Sequence, residues 1–172
     1  LSPIIPGNTL SAVTRPIEAA QFGAVPTALM QRATATVVVR GKLVGSKASP
    51  AYTVLLGYGS SPTSNNPMYT DGSAGALRSY PGSDLIGVTG LGVGWEKSAF
   101  GAALAMNPSG RSITANGSAV VTSSVLVPSP ASAFLGKDYE SSFASDGYYD
   151  EVVIFPFRVA NADLPRLAVP YA

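Results

Sequence analysis

The stretch from residue 100 to 127 constrains the fold most. Phe100, Ala102, Leu104 and Met106 fall on one side of an extended chain whose other side is glycine or alanine. Asn107-Pro108-Ser109-Gly110 offers a turn, with glycine free to take positive φ. Residues 111–115 run back. Asn116-Gly117 suits a type I′ hairpin turn, because both residue types tolerate positive φ. Residues 119–127 then return. Such a chain predicts an antiparallel meander.

The same period of two recurs elsewhere. Ala35, Val37, Val39 and Leu43 alternate with Thr34, Thr36, Arg40 and Lys42, predicting a strand over 33–44. Tyr52, Val54, Leu56 and Tyr58 alternate with Thr53 and Gly57 in the next, followed by a loop over 59–67. Shorter strands are expected within 69–80 and 85–93. Residues 150–158 read as a last strand, with Pro156 demanding an edge or bulge. A short helix fits 162–168, with Asn161 as N-cap and Asp163 in its first turn. With 18 Gly and 14 Pro, turns are frequent throughout, as in all-β folds. The expected fold is all-β, an antiparallel two-sheet jelly-roll sandwich over 33–172 with one short C-terminal helix. Residues 1–32 read as an irregular arm or linker, where Pro3, Pro6, Pro16 and Pro26 break any helix. Within it, residues 17–22 form one helical turn or an edge strand.

The closing half carries a resemblance. Its quoted segments are Ser112-Ile113-Thr114-Ala115-Asn116-Gly117, Ser132-Ala133-Phe134-Leu135-Gly136-Lys137-Asp138, Asp146-Gly147-Tyr148-Tyr149-Asp150-Glu151-Val152-Val153-Ile154 and Ala162-Asp163-Leu164-Pro165-Arg166-Leu167. In that order they resemble the concanavalin A-like lectin/glucanase domains of the laminin G-like type. The resemblance implies a sandwich that binds surfaces or glycans and seldom does chemistry. It also implies that the N-terminal arm pairs near the last strands.

Catalysis finds no support in the residues. There is no histidine, so the commonest general base and any Ser-His-Asp triad are missing. With no cysteine either, zinc sites built on His or Cys are excluded. Sandwich glucanases need carboxylates two apart on one strand, whereas Asp150 and Glu151 are adjacent and face opposite ways. No cofactor is expected. Calcium is the one candidate, through loop aspartates among which Asp138 and Asp146 flank a single loop. Ordinary solvated turn aspartates are the favoured explanation of those residues. Asn116-Gly117-Ser118 matches a glycosylation acceptor, but the turn already accounts for it.

Binding falls to aromatic side chains near loop boundaries: Trp95, Tyr80, Tyr139, Tyr148, Tyr58 and Tyr69. Rings stack on the apolar faces of sugars, while phenol and indole groups bond hydroxyls. The bland alternative for each is a ring that covers a strand end or fills the core. Scattered basic residues, 11 Lys and Arg against 10 Asp and Glu, give no footprint for nucleic acid. No apolar run reaches the roughly 18 residues of a membrane span.

The absence of Cys and His, the low charge and the small-residue loops lead to a specific expectation. It is a non-enzymatic lectin-like module of a phage tail or head fibre, located on the virion surface or otherwise extracellular. As a homotrimer it would recognise bacterial surface polysaccharide. The alternative is a capsid decoration or assembly module, or a bacterial surface laminin G-like module, without a glycan ligand. A chain that begins with Leu1 reads as part of something longer. One requirement concerns the final strand, whose Val153, Phe155 and Phe157 need a cover. The N-terminal arm is favoured for it over a neighbouring subunit.

Overall fold

The computed structural model describes residues 20–32, 34–46, 52–59, 65–82, 84–137 and 144–171. In chain order the elements are β1 (Ala20–Gln21), α1 (Ala24–Met30), β2 (Ala35–Ser46), β3 (Tyr52–Gly59), β4 (Asn65–Asp71), β5 (Ala76–Tyr80) and β6 (Ile86–Val88). After a 3₁₀ turn (Trp95–Lys97) come β7 (Phe100–Asn107), β8 (Gly110–Ala115), β9 (Val121–Ser123), β10 (Ser132–Leu135), β11 (Ser145–Phe155) and α2 (Leu164–Leu167). They form an antiparallel two-sheet sandwich. The first sheet has the order β1-β10-β3-β4-β5-β6, and the second β11-β2-β7-β8-β9. Among the described residues no helix is long and apolar enough to cross a membrane.

The core lies between the sheets, where the alternating residues place it. Val37, Val39 and Leu43 of β2 and Phe100, Ala102, Leu104 and Met106 of β7 meet Leu55, Leu56, Met68, Leu77 and Val88 from the other sheet. The turn after β8 forms as its residues require: Asn116 has φ 49° and Gly117 φ 73°. Ser118 N donates to Ala115 O at 2.8 Å, and Asn116 exchanges two hydrogen bonds with Gly101, through its backbone N and its side-chain Oδ1. The returning strand is shorter than expected. Only Val121–Ser123 pairs with β8.

The first strand pair carries an unforeseen bulge. Val54 pairs with Tyr69 and Leu56 with Met68, so Leu55 is extra. An extra residue reverses the facing of everything on one side of it. Leu56 and Tyr58 point inward as expected, while Tyr52 and Val54 turn to the outer face.

β1 pairs with β10, Ala20 against Leu135 and Gln21 against Phe134, as an edge strand. The reading of 1–32 as free of helix fails, because α1 spans Ala24–Met30 despite Pro26. Pro26 sits in the first turn, where amide hydrogens have no intrahelical acceptor and its missing N–H costs nothing. The first helical bond runs from Thr27 N to Gly23 O.

Among the described residues, Val153 and Phe155 are covered from a source the sequence reading did not name, the C-terminal segment around α2. Leu164 and Ala168 bury themselves against Val38, Ala103 and Ala105, with Val153, Phe155, Val159 and Leu167 packed around them. This second, smaller core covers part of the outer face of the second sheet. Gly101 permits the approach, since a Cβ there would stand 2.5 Å from Ala168 O. Arg40 ties the tail down. It donates to Val169 O at 2.9 Å and Leu167 O at 2.5 Å, pairs with Glu151, and lies over the Tyr171 ring at 4.8 Å. The helix is capped at Asp163 without a side-chain bond, while Asn161 instead accepts from Arg158 at 3.0 Å. Phe157 lies beyond the strand and is 53% exposed.

Arg111 joins the sheets at one end. It is buried on β8 and donates to Ser79 Oγ on β5 at 3.0 Å, to Val125 O at 2.7 Å and to Asp84 O at 2.7 Å. Burial lowers its pKa, and the Asp84 carboxylate at 3.1 Å counters that.

Candidate functional site

The outer face of the first sheet gathers the ligand-like chemistry. In the ladder Tyr69 stands between Val54 on β3 and Arg78 on β5, and Arg78 faces Gly87 on β6. Leu77 points into the core, so Arg78 and Tyr80 point away from it. One step along, Tyr52 pairs with Asp71, and Tyr80 pairs with Asn66. The result is a strip of Tyr52, Tyr69, Tyr80, Asn66, Asp71 and Arg78.

Its geometry combines rings with a cation. The Tyr52 and Tyr69 rings meet edge-on, with centroids 6.0 Å apart. Tyr52 and Tyr80 are 42% and 40% exposed, and Tyr69 is half-buried. Burial raises the Tyr69 pKa; Arg78 opposes this, while Tyr52, Asp71 and Tyr80 add to it. The phenol therefore stays protonated and can donate. Arg78 Nη2 lies 3.6 Å from Asp71 Oδ2, beyond ordinary hydrogen-bond length. Asp71 Oδ1 is committed locally, accepting from Ser73 Oγ at 2.9 Å and Ala74 N at 3.1 Å. The guanidinium thus keeps donors for an external acceptor. Asn66 Oδ1 is buried without a partner among the described residues.

The expected aromatic set is divided by the fold. Tyr69 and Tyr80 are brought together on this face. Tyr58 does not join them: it is 2% exposed inside the core, where burial pushes its phenol pKa up. Trp95 is also internal, its ring packed edge-on against Phe100 at 5.8 Å. Both rings are core fillers, because a sugar cannot reach them between the sheets. Tyr148 is exposed, but on the second sheet opposite Lys42. Its neighbour Tyr149 turns inward and hydrogen-bonds Ser145. Tyr139 and Asp138 lie outside the described residues.

Arg78, Tyr52 and Asn66 were missed by the sequence reading. Arg78 had a signal: alternation over Ala76–Tyr80 puts it beside Tyr80, opposite Leu77. Tyr52 had none, since the Leu55 bulge reverses it. For calcium the structure adds nothing. Asp146 is exposed, Asp84 is held by Arg111 and Ser123, and no three Asp, Glu, His or Cys side chains gather among the described residues.

No family model and no curated protein matches this chain. Solved structures do. The CBM40 of Ruminococcus gnavus IT-sialidase, bound to α2,3-sialyllactose, has a TM-score of 0.66 at 14% identity, over 88% of this chain and 92% of that one. The NanB sialidase from Streptococcus pneumoniae gives 0.63 at 13% identity, covering 91% of this chain and 27% of that one. Trypanosoma rangeli sialidase gives 0.64 at 14% identity, covering 86% and 25%. The chain spans nearly the whole CBM40 but only about a quarter of the two sialidases. At these identities the likeness shows the fold, a β-sandwich of this kind.

Proposed function

We propose that this protein is a non-enzymatic, lectin-like module that binds an acidic glycan on the outer face of its first sheet. The observation that carries the reading is the convergence of Tyr52, Tyr69 and Tyr80 with Arg78, whose guanidinium retains unspent donors. Rings provide stacking surfaces for sugar C–H faces, and a guanidinium grips a carboxylate through two parallel hydrogen bonds. The sialyllactose-bound structural neighbour supports a sugar of that class. Within this reading the sandwich belongs to the laminin G-like branch of the concanavalin A-like folds. Within this reading the ligand is a bacterial surface polysaccharide and the setting a phage fibre at the virion surface, with the module as a homotrimer. Catalysis is not part of it, for the chain has no histidine, and among the described residues no group of three Asp, Glu, His or Cys side chains gathers.

Calorimetric titration with acidic and neutral oligosaccharides tests the proposal. Binding of acidic sugars, lost in both Arg78→Ala and Tyr69→Ala, is the expected result. No binding across a broad glycan array would favour the structural alternative, a decoration or assembly module without a glycan ligand. Light scattering decides the trimer.

A further inference from the structure

We propose that Gly87 sets how this face reads charge, by leaving the space in which Arg78 lies along the sheet. The inference rests on the glycan-binding reading above. Gly87 stands directly across from Arg78 in the β5–β6 ladder. A Cβ placed on it would come 2.7 Å from Arg78 Nη1, 2.8 Å from Arg78 Cδ and 3.2 Å from Leu77 O. Carbon contacts at such distances are strongly repulsive. Gly87 is not among the glycines with positive φ, so its backbone does not require glycine. What it supplies is room.

The other side of the slot is Asp71. With Oδ1 engaged by Ser73 and Ala74, its Oδ2 is aimed at Arg78 Nη2. The guanidinium lies between Gly87 on β6 and that carboxylate, with the Arg78 side chain only 24% exposed. A cation fixed in place loses less entropy when it pairs with a planar anion. Any side chain at position 87 expels the guanidinium. Because the two closest atoms belong to a flexible arginine, the arginine moves most, while the β5 backbone at Leu77 O needs to give by only a few tenths of an ångström.

The experiment compares wild type, Gly87→Ala and Arg78→Ala, using α2,3-sialyllactose and an oligogalacturonate as acidic probes and lactose as the neutral one. Gly87→Ala should keep or raise the unfolding midpoint, since alanine suits a strand better than glycine. It should weaken acidic binding about tenfold, the scale of one hydrogen bond to a charged group, while leaving lactose unchanged. Arg78 should also react faster with an arginine-selective dicarbonyl, read by mass spectrometry. An acidic-to-neutral preference kept within about twofold in Gly87→Ala, with the preference lost in Arg78→Ala, would overturn the role of Gly87 and leave the face intact. If wild type ignores both acidic probes, or Arg78→Ala binds them normally, the reading of the face falls and this inference with it.

Discussion

The two outer faces of the sandwich have opposite fates. On the second sheet, Val38, Ala103, Ala105, Val153 and Phe155 are covered by α2 and the segment around it. On the first sheet the corresponding layer carries tyrosines, an asparagine and an ion pair, with several rings half open to solvent. One face adds to stability and the other remains available for recognition. A sandwich needs only its inner faces to fold, so each outer face is free to take a separate role. Two contacts hold that cover in place around Val169. Arg40 fixes the tail, and Gly117 lies beneath Val169, whose Cγ2 would stand 3.7 Å from a Cβ there.

Several experiments would break or sharpen that contrast. The largest effect is expected inside, where Tyr58 is held neutral. Its folded pKa is raised above the ordinary value of 10.0, so its stabilising contribution is complete below about pH 10 and declines as pH rises from there toward the folded pKa. Alkaline unfolding should begin above that point, and tyrosinate absorbance should show Tyr58 ionising only as the fold gives way. Early ionisation of every tyrosine would place Tyr58 outside the core.

Leu164→Ala removes the central side chain of the covered face and should cost about 3 kcal/mol by urea denaturation. Glycan affinity should not follow. A parallel loss of binding would mean that the faces are not independent. Arg78→Ala should do the reverse, losing at least about tenfold in acidic-glycan affinity, or roughly 1.4 kcal/mol, with little change in the denaturation midpoint. Gly117→Val should destabilise by about 1 kcal/mol or more, because valine cannot adopt a φ of 73° without strain. The smallest effect is expected for Phe157→Asp. With α2 as the cover and Phe157 outside it, stability should change by less than about 0.5 kcal/mol. A drop in mass by light scattering would assign Phe157 to a subunit interface instead.

Much of the inner architecture was legible. The inward residues of β2 and β7 follow from strict alternation, and the Asn116-Gly117 turn follows from which residues accept positive φ. The candidate face was less so. A period-two pattern says which residues share a side, but not which side is the core. Val153 and Phe155 illustrate this: their apolar character called for a cover, yet nothing local pointed to Leu164 and Ala168. Trp95 and Tyr58 show the same limit, because a ring beside glycines near a loop looks alike whether it faces solvent or the core.

By itself, then, the sequence determined the all-β class, the meander and the short C-terminal helix, since each depends on local backbone preference. Tertiary structure alone decided that Leu55 bulges and sends Tyr52 outward beside Tyr69. It also decided that Arg78 settles against Gly87, and that the tail closes one sheet rather than the other. Those outcomes depend on register between strands distant in the chain, where a shift of one residue exchanges the buried face for the exposed one.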